Sequence, residues 1–178
     1  MALAGGVLVS VLVFLYSLFI YPIIYIFPAY AANGAPVLFG GGKPLDFKAK
    51  IRNRRVFGDH KTIRGTVSSF LAGIAIGLIE YPFLHYMLPV AILLTVGANF
   101  GDLLGSFIKR QLGIGSGRSF PVMDQYGFFV FAVIFAYVFK PGVFPAPLGF
   151  LFLVVLTGLM HVLTNRGAYK LKLKEVPW

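Results

Sequence analysis

The chain reads as an all-α, polytopic membrane protein with five transmembrane helices, and three observations predict this. Of its 178 residues, 58% are hydrophobic and only 12% charged, with a mean hydropathy of +0.83, far from the balance of a soluble domain. Five apolar stretches approach the length of about 20 residues that crosses a bilayer. The positive charge is also segregated: all but one of the 16 Lys and Arg residues fall on one face of a five-span arrangement, Lys140 being the exception. The positive-inside rule then sets the amino terminus outside and the carboxyl terminus in the cytoplasm. Four or six spans would scatter the basic segments across both faces.

Span one is expected over residues 5–27, with Pro22 and Pro28 kinking or ending it, because proline lacks the N–H a helix interior needs. No basic n-region precedes this run and no small-residue cleavage site follows it, so a signal peptide is not indicated. A long basic cytoplasmic loop, residues 31–65, follows with eight Lys or Arg. Spans two and three are expected over 66–84 and 87–107, then a second cytoplasmic loop over 109–124. Spans four and five, 125–139 and 148–164, are short for a hydrocarbon core of about 30 Å. The whole chain, 1–178, reads as one integral membrane domain. Tyrosines crowd the predicted span ends, as interfacial anchors do. With no cysteine, disulfides and zinc–thiolate sites are excluded.

Asp102 is the residue that asks for a function. It lies within span three, where a carboxylate costs a few kcal/mol on insertion scales and by default marks a working site. At 100° per residue, Thr95, Asn99, Asp102, Ser106 and Lys109 share one stripe of that helix. A pair between Asp102 and Lys109 serving packing alone is the plain alternative. Asp124 opens span four, and the intervening loop returns on the cytoplasmic face, so both carboxylates can meet there. Two carboxylates beside a basic, glycine-rich surface suit Mg²⁺, which takes one or two protein carboxylates plus phosphate oxygens. Asp59 is a candidate third ligand, or a partner for His60 or Lys61.

The loop supplies the phosphate-binding chemistry. Lys61 and Arg64, three apart at the start of span two, lie beside free helix N–H groups that favour anions. Gly58, His60 and Thr62 surround them. Lys48, Lys50, Arg52, Arg54 and Arg55 are explained equally well by topology or by anionic headgroups. Neither glycine-rich run is a Walker loop: Lys43 is followed by Pro44, and Lys61-Thr62 follows His60 rather than glycine. The run from Gly113 through Ser116 and Gly117 to Arg118 fits a phosphate-facing loop or a plain connector. His85 and His161 read as packing or hydrogen-bonding residues, and Glu80 as interfacial.

With these residues in place, the sequence resembles the archaeal CDP-archaeol synthases, a branch of the CTP-dependent phosphatidate cytidylyltransferase group. The resemblance covers nearly the whole chain. It is carried by Asn33 with Pro36, by Gly58-x-His60-Lys61-Thr62-x-Arg64-Gly65, by Asn99-x-Gly101-Asp102-x-x-x-Ser106-x-x-Lys109-Arg110, and by Pro121-x-x-Asp124-Gln125. The family pattern has a second acidic residue three positions after Asp124; here Gly127 stands in its place.

The resemblance implies transfer of the cytidylyl group of CTP to 2,3-di-O-geranylgeranylglyceryl phosphate, releasing pyrophosphate, at the cytoplasmic side of the cell membrane. It implies Mg²⁺ as cofactor, with Mn²⁺ as a substitute, on Asp102 and Asp124. Lys61, Arg64, Lys109 and Arg110 would hold phosphates. Asn33, Lys43, Gly58, His60, Thr62, Asn99 and Ser106 would complete the CTP site. CTP, the isoprenoid lipid phosphate and the bilayer are the expected partners, and no nucleic acid polymer is. Two rivals remain: a CTP-dependent polyprenol or phytol kinase, which would release CDP, and a small transporter. The latter predicts polar residues along a full helix, whereas these crowd one half, and no inverted pair of broken helices is evident.

Overall fold

A computed structural model of the chain describes residues 2–115 and 118–177, so Ser116 and Gly117 of the predicted connector lie outside the described residues. Six α-helices carry the fold: α1 (Ala2–Leu15), α2 (Tyr21–Phe39), α3 (Ile63–Glu80), α4 (Met87–Gln111), α5 (Met123–Phe139) and α6 (Pro147–Lys170). Among the described residues, four helical stretches are long and apolar enough to cross a membrane: Gly5–Phe39, Ile63–Glu80, Met87–Gln111 and Pro147–Lys170. The fifth, α5, has 17 residues, about 26 Å at 1.5 Å per residue and the lower limit for a span.

The first span departs most from expectation. A π-helical segment, Tyr16–Ile20, joins α1 to α2 without a break, and the helix continues through Pro28 and Pro36 to Phe39. Neither Pro22 nor Pro28 ends it. The wider π turn relieves the backbone ahead of Pro22, where α6 also approaches: a Cβ on Gly149 would press on Pro22 and on the Ser17 carbonyl. Pro22 and Pro28 are themselves fully buried among Tyr25, Ile26, Ala29 and Ala32, so packing offsets the hydrogen bonds they forfeit. Two corrections follow. Asn33 sits on a helix and not in a loop, and the first loop begins at Gly40 rather than at residue 31.

That loop is compact. Its ends are tied by Leu45 N–H to the Lys61 carbonyl (2.7 Å) and Ile63 N–H to the Lys43 carbonyl (3.1 Å). Between them, strands β1 (Lys50–Ile51) and β2 (Arg54–Arg55) form a hairpin. Arg52 and Asn53, both at positive φ, make its two-residue turn. Asp46 organises the rest. Its side chain is 1% exposed and accepts from Arg55 (2.7 and 3.2 Å) and from the amides of Lys48 (3.0 Å), Phe57 (3.0 Å) and Gly58 (3.1 Å). Burial alone would push this carboxyl up, but the guanidinium and the three amides more than offset it. They hold Asp46 well below the usual carboxylate range.

The core forms where α2, α4 and α5 meet around Tyr25, Met87, Leu94, Phe128 and Phe129, with Leu153 from α6. Small residues let the backbones approach. A Cβ on Gly97 would strike the backbone at Phe131, and one on Gly101 would strike the Gly127 carbonyl. Gly127, three positions after Asp124, is therefore one of the close-contact points of α4 and α5. Across the other side of α4, Gly73 receives the Thr95 side chain and Gly77 faces Ala91. These contacts set the depth at which Asp102 and Asp124 stand.

Candidate active site

An open cleft lies between α2, the end of the first loop, α3 and α4. Asn33, His60, Lys61, Thr62, Thr66, Ser69, Asn99 and Asp102 are its polar lining. Asp102 projects from α4, and both its carboxylate oxygens receive Lys61 Nζ, at 2.5 and 2.6 Å. Its side chain is 40% exposed and lines the polar cleft, and the paired ammonium lowers the cost of keeping it ionised. The Asp102–Lys109 packing pair does not form. Lys109 instead reaches across to Asp124 Oδ1 (2.7 Å).

Asp124 stands in the first turn of α5, where a carboxylate is favoured by the helix N-terminus. Its Oδ2 accepts from the Phe120 amide at 2.8 Å. The approach is a tight reversal. Val122 has φ +69 and ψ −57, and the Met123 amide bonds back to the Pro121 carbonyl at 2.8 Å. A branched residue in that conformation is strained by about 1–3 kcal/mol, and here the reversal aims Asp124 at Lys109.

The predicted residues divide into groups. Asn33, His60, Lys61, Thr62, Asn99 and Asp102 converge on the cleft. Thr62 also caps α3, its hydroxyl accepting from the Gly65 amide (3.0 Å), while the Asn99 amide donates to the Thr95 carbonyl (2.9 Å). Arg110 packs against the Gly58 backbone and donates to the Gly115 carbonyl (3.1 Å), and its buried Nε has no partner among the described residues. Gly58 takes φ +88, which delivers its amide to Asp46. Asp59 pairs with Arg55 at 2.7 Å and is exposed. Arg64, Lys43 and Ser106 stay outside the cleft lining; Arg64 is in the first turn of α3, Lys43 is at the exposed loop end and Ser106 is buried in α4.

Sequence reasoning missed the contribution of α6 and the carboxyl-terminal tail. His161 does hydrogen-bond, as expected: Asn165 Nδ2 lies 3.0 and 3.1 Å from its two ring nitrogens. Asn165 Oδ1 in turn accepts from Lys174 Nζ at 2.7 Å. From sequence alone, Lys174 counts only toward the one-sided distribution of basic residues. The spacing of Gly158, His161 and Asn165, which places them on one helical face, was the available signal. Tyr126 packs into Gly158 on that face.

Comparison with known proteins agrees with this architecture. The family model for CarS-like CDP-archaeol synthase matches residues 15–178. A CDP-archaeol synthase of Pyrococcus furiosus is 46% identical over 162 residues, 86% of this chain and 95% of the relative. That of Methanopyrus kandleri is 45% identical over 157 residues, again 86% of this chain and 90% of the relative. A solved structure, described as an intramembrane enzyme for archaeal membrane lipids biosynthesis, superposes with a TM-score of 0.74 at 34% identity. It covers 80% of this chain and 91% of its own. The chain belongs to the CDP-archaeol synthase family.

Proposed function

We propose that this chain transfers the cytidylyl group of CTP to 2,3-di-O-geranylgeranylglyceryl phosphate, giving the CDP-activated lipid and pyrophosphate. The observation that carries the reading is the Asp102–Lys61 pair facing a cleft of neutral hydrogen-bonding groups in the midst of apolar helices. Residues 1–178 act as one catalytic domain, with the amino terminus outside and the cleft opening to the cytoplasm. The segregation of basic residues supports that orientation.

In the reaction, an oxygen of the lipid phosphate attacks the α-phosphorus of CTP in line. A new P–O bond forms, the bond to the bridging β-phosphate oxygen breaks, and pyrophosphate leaves with the electron pair. The attacking phosphate is ionised near neutral pH, so the site requires no strong general base. Its task is positioning and charge neutralisation. Lys61 and Lys109, which hold the two carboxylates in the free protein, turn to phosphate oxygens when substrates bind. Arg64 and Arg110 add charge at the rim, and Asn33, His60 and Asn99 orient the nucleotide.

The residues fit Mg²⁺. Among the described residues no three His, Cys, Asp or Glu side chains gather as a metal site. Asp102 and Asp124, each holding a lysine ammonium, are the two carboxylates offered to it, the number Mg²⁺ takes when phosphate oxygens and water complete its shell. Bound through Asp102 and Asp124, the ion would neutralise charge on the triphosphate. Asp59, engaged with Arg55, is left out of this set.

Product analysis tests the reading. Purified protein in lipid nanodiscs with CTP, Mg²⁺ and the lipid phosphate should yield one pyrophosphate per CDP-lipid. Release of CDP with a lipid alcohol as acceptor would make the chain a kinase, and no turnover with either acceptor would favour transport.

A further inference from the structure

The carboxyl-terminal tail is built to return to the site. Helix α6 ends in a paired closure: the Leu173 amide bonds to the Ala168 carbonyl (2.9 Å) and the Lys172 amide to the Tyr169 carbonyl (3.0 Å), with Lys172 at φ +58. These are the two bonds of a Schellman motif, which reverses the chain. The reversal carries Lys174 back along α6 to Asn165, nine residues earlier. Asn165 is in turn braced by His161, one turn nearer the Tyr126–Gly158 contact that holds α6 to α5.

The ammonium is thereby fixed beside α6, at the end of the helix that packs on α5. Its surroundings are mixed. Burial and the charges of Lys61 and Lys109 push it below its ordinary pKa, while Asp124 and Asp102 pull it back. Both carboxylate–lysine pairs thus act on Lys174. The cleft takes its lining from α2, the loop end, α3 and α4, with no residue of α6 or the tail among the described ones. The lipid-facing side of α6 is a stripe of exposed apolar residues, Leu148, Leu151, Val155, Leu159 and Leu163, ending just before the tail turns. A lipid lying in the bilayer along that stripe brings its headgroup to the tail.

Resting on the cytidylyl-transfer reading, we propose that Lys174, held by Asn165, binds the phosphate of the lipid acceptor. The two phosphoanions are then divided across the carboxylate pair. The nucleotide lies in the cleft with Lys61, and the acceptor phosphate lies on the α6 side with Lys174. Asn165 keeps the ammonium at the site when no lipid is present, so little side-chain freedom remains to be lost on binding.

The test uses full-length protein in nanodiscs and separates the two phosphates. Losing one charge-assisted hydrogen bond to phosphate, Lys174→Met should raise the KM for lipid phosphate about tenfold to a hundredfold. The dissociation constant of CTP, measured at equilibrium, should stay within about twofold because the cleft is untouched. Lys174→Arg should recover most of the acceptor affinity. An unchanged lipid KM in folded Lys174→Met, or an equal weakening of CTP binding, would overturn the assignment. If Lys174→Met does not fold, Asn165→Ala replaces it: it removes the Asn165 bond to the ammonium and should raise the same KM by a smaller factor, and an unaltered KM would count against the proposal. Wild-type protein that binds CTP without turning over would sink the proposed reaction and not this inference. Binding of vesicles doped with the lipid phosphate, compared between wild type and Lys174→Met, would then decide it.

Discussion

The aspartates are all paired with cations, Asp102 with Lys61, Asp124 with Lys109, and Asp46 and Asp59 both with Arg55, and the pairing explains each role. Asp46 is sealed in the first loop by Arg55 and three amides, so it is structural. Removing it leaves Arg55 half satisfied, and Asp46→Ala should cost up to about 3–5 kcal/mol of loop stability, the scale for breaking a buried pair. Its lowered pKa sets the pH dependence. The contribution is complete above the ordinary carboxylate value and is lost as pH falls through the lower folded value. Hydrogen exchange of the Phe57 and Gly58 amides should be protected alike from about pH 5 to 7 and fail only below about pH 4. The special standing of Asp102 was legible in the sequence because a carboxylate within an apolar run has few structural explanations. Its partner was not legible, since Lys61 and Lys109 were equally plausible until the fold placed one across the cleft and the other beside Asp124.

At the level of elements, the α4–α5 crossing positions the chemistry. Gly101 touches the Gly127 backbone, one residue before Asp102 on one helix and one turn after Asp124 on the other. Gly101→Ala meets a carbonyl that cannot move aside, so it should destabilise the protein by about 1–3 kcal/mol and lower activity with it. Gly34→Ala, whose Cβ would enter open space on α2, should leave the melting temperature in detergent unchanged or raise it slightly. Helix existence followed from hydropathy throughout, but boundaries did not. Proline rules for soluble helices ended the first span at residue 27, whereas burial of Pro22 and Pro28 carries the helix on to Phe39. The tail closure was invisible because Lys172 adopts a left-handed conformation usually left to glycine.

At the scale of the whole molecule, the proposed orientation, with the basic segments on the cytoplasmic side, is itself testable. The absence of cysteine makes single-cysteine labelling clean. A cysteine replacing Phe47, 73% exposed in the first loop, should label from the cytoplasmic side. One replacing Phe83, 82% exposed after α3, should label from outside; the reverse pattern would invert the topology. The central claim is that a carboxylate set among membrane helices does the work of transfer. It is tested most directly by pyrophosphate release from Asp102→Asn beside wild type, with CTP, Mg²⁺ and the lipid phosphate. The amide keeps the shape and removes the charge, so turnover should fall about a hundredfold or more while the melting temperature holds. Turnover within about threefold of wild type, in folded Asp102→Asn protein, would contradict the account.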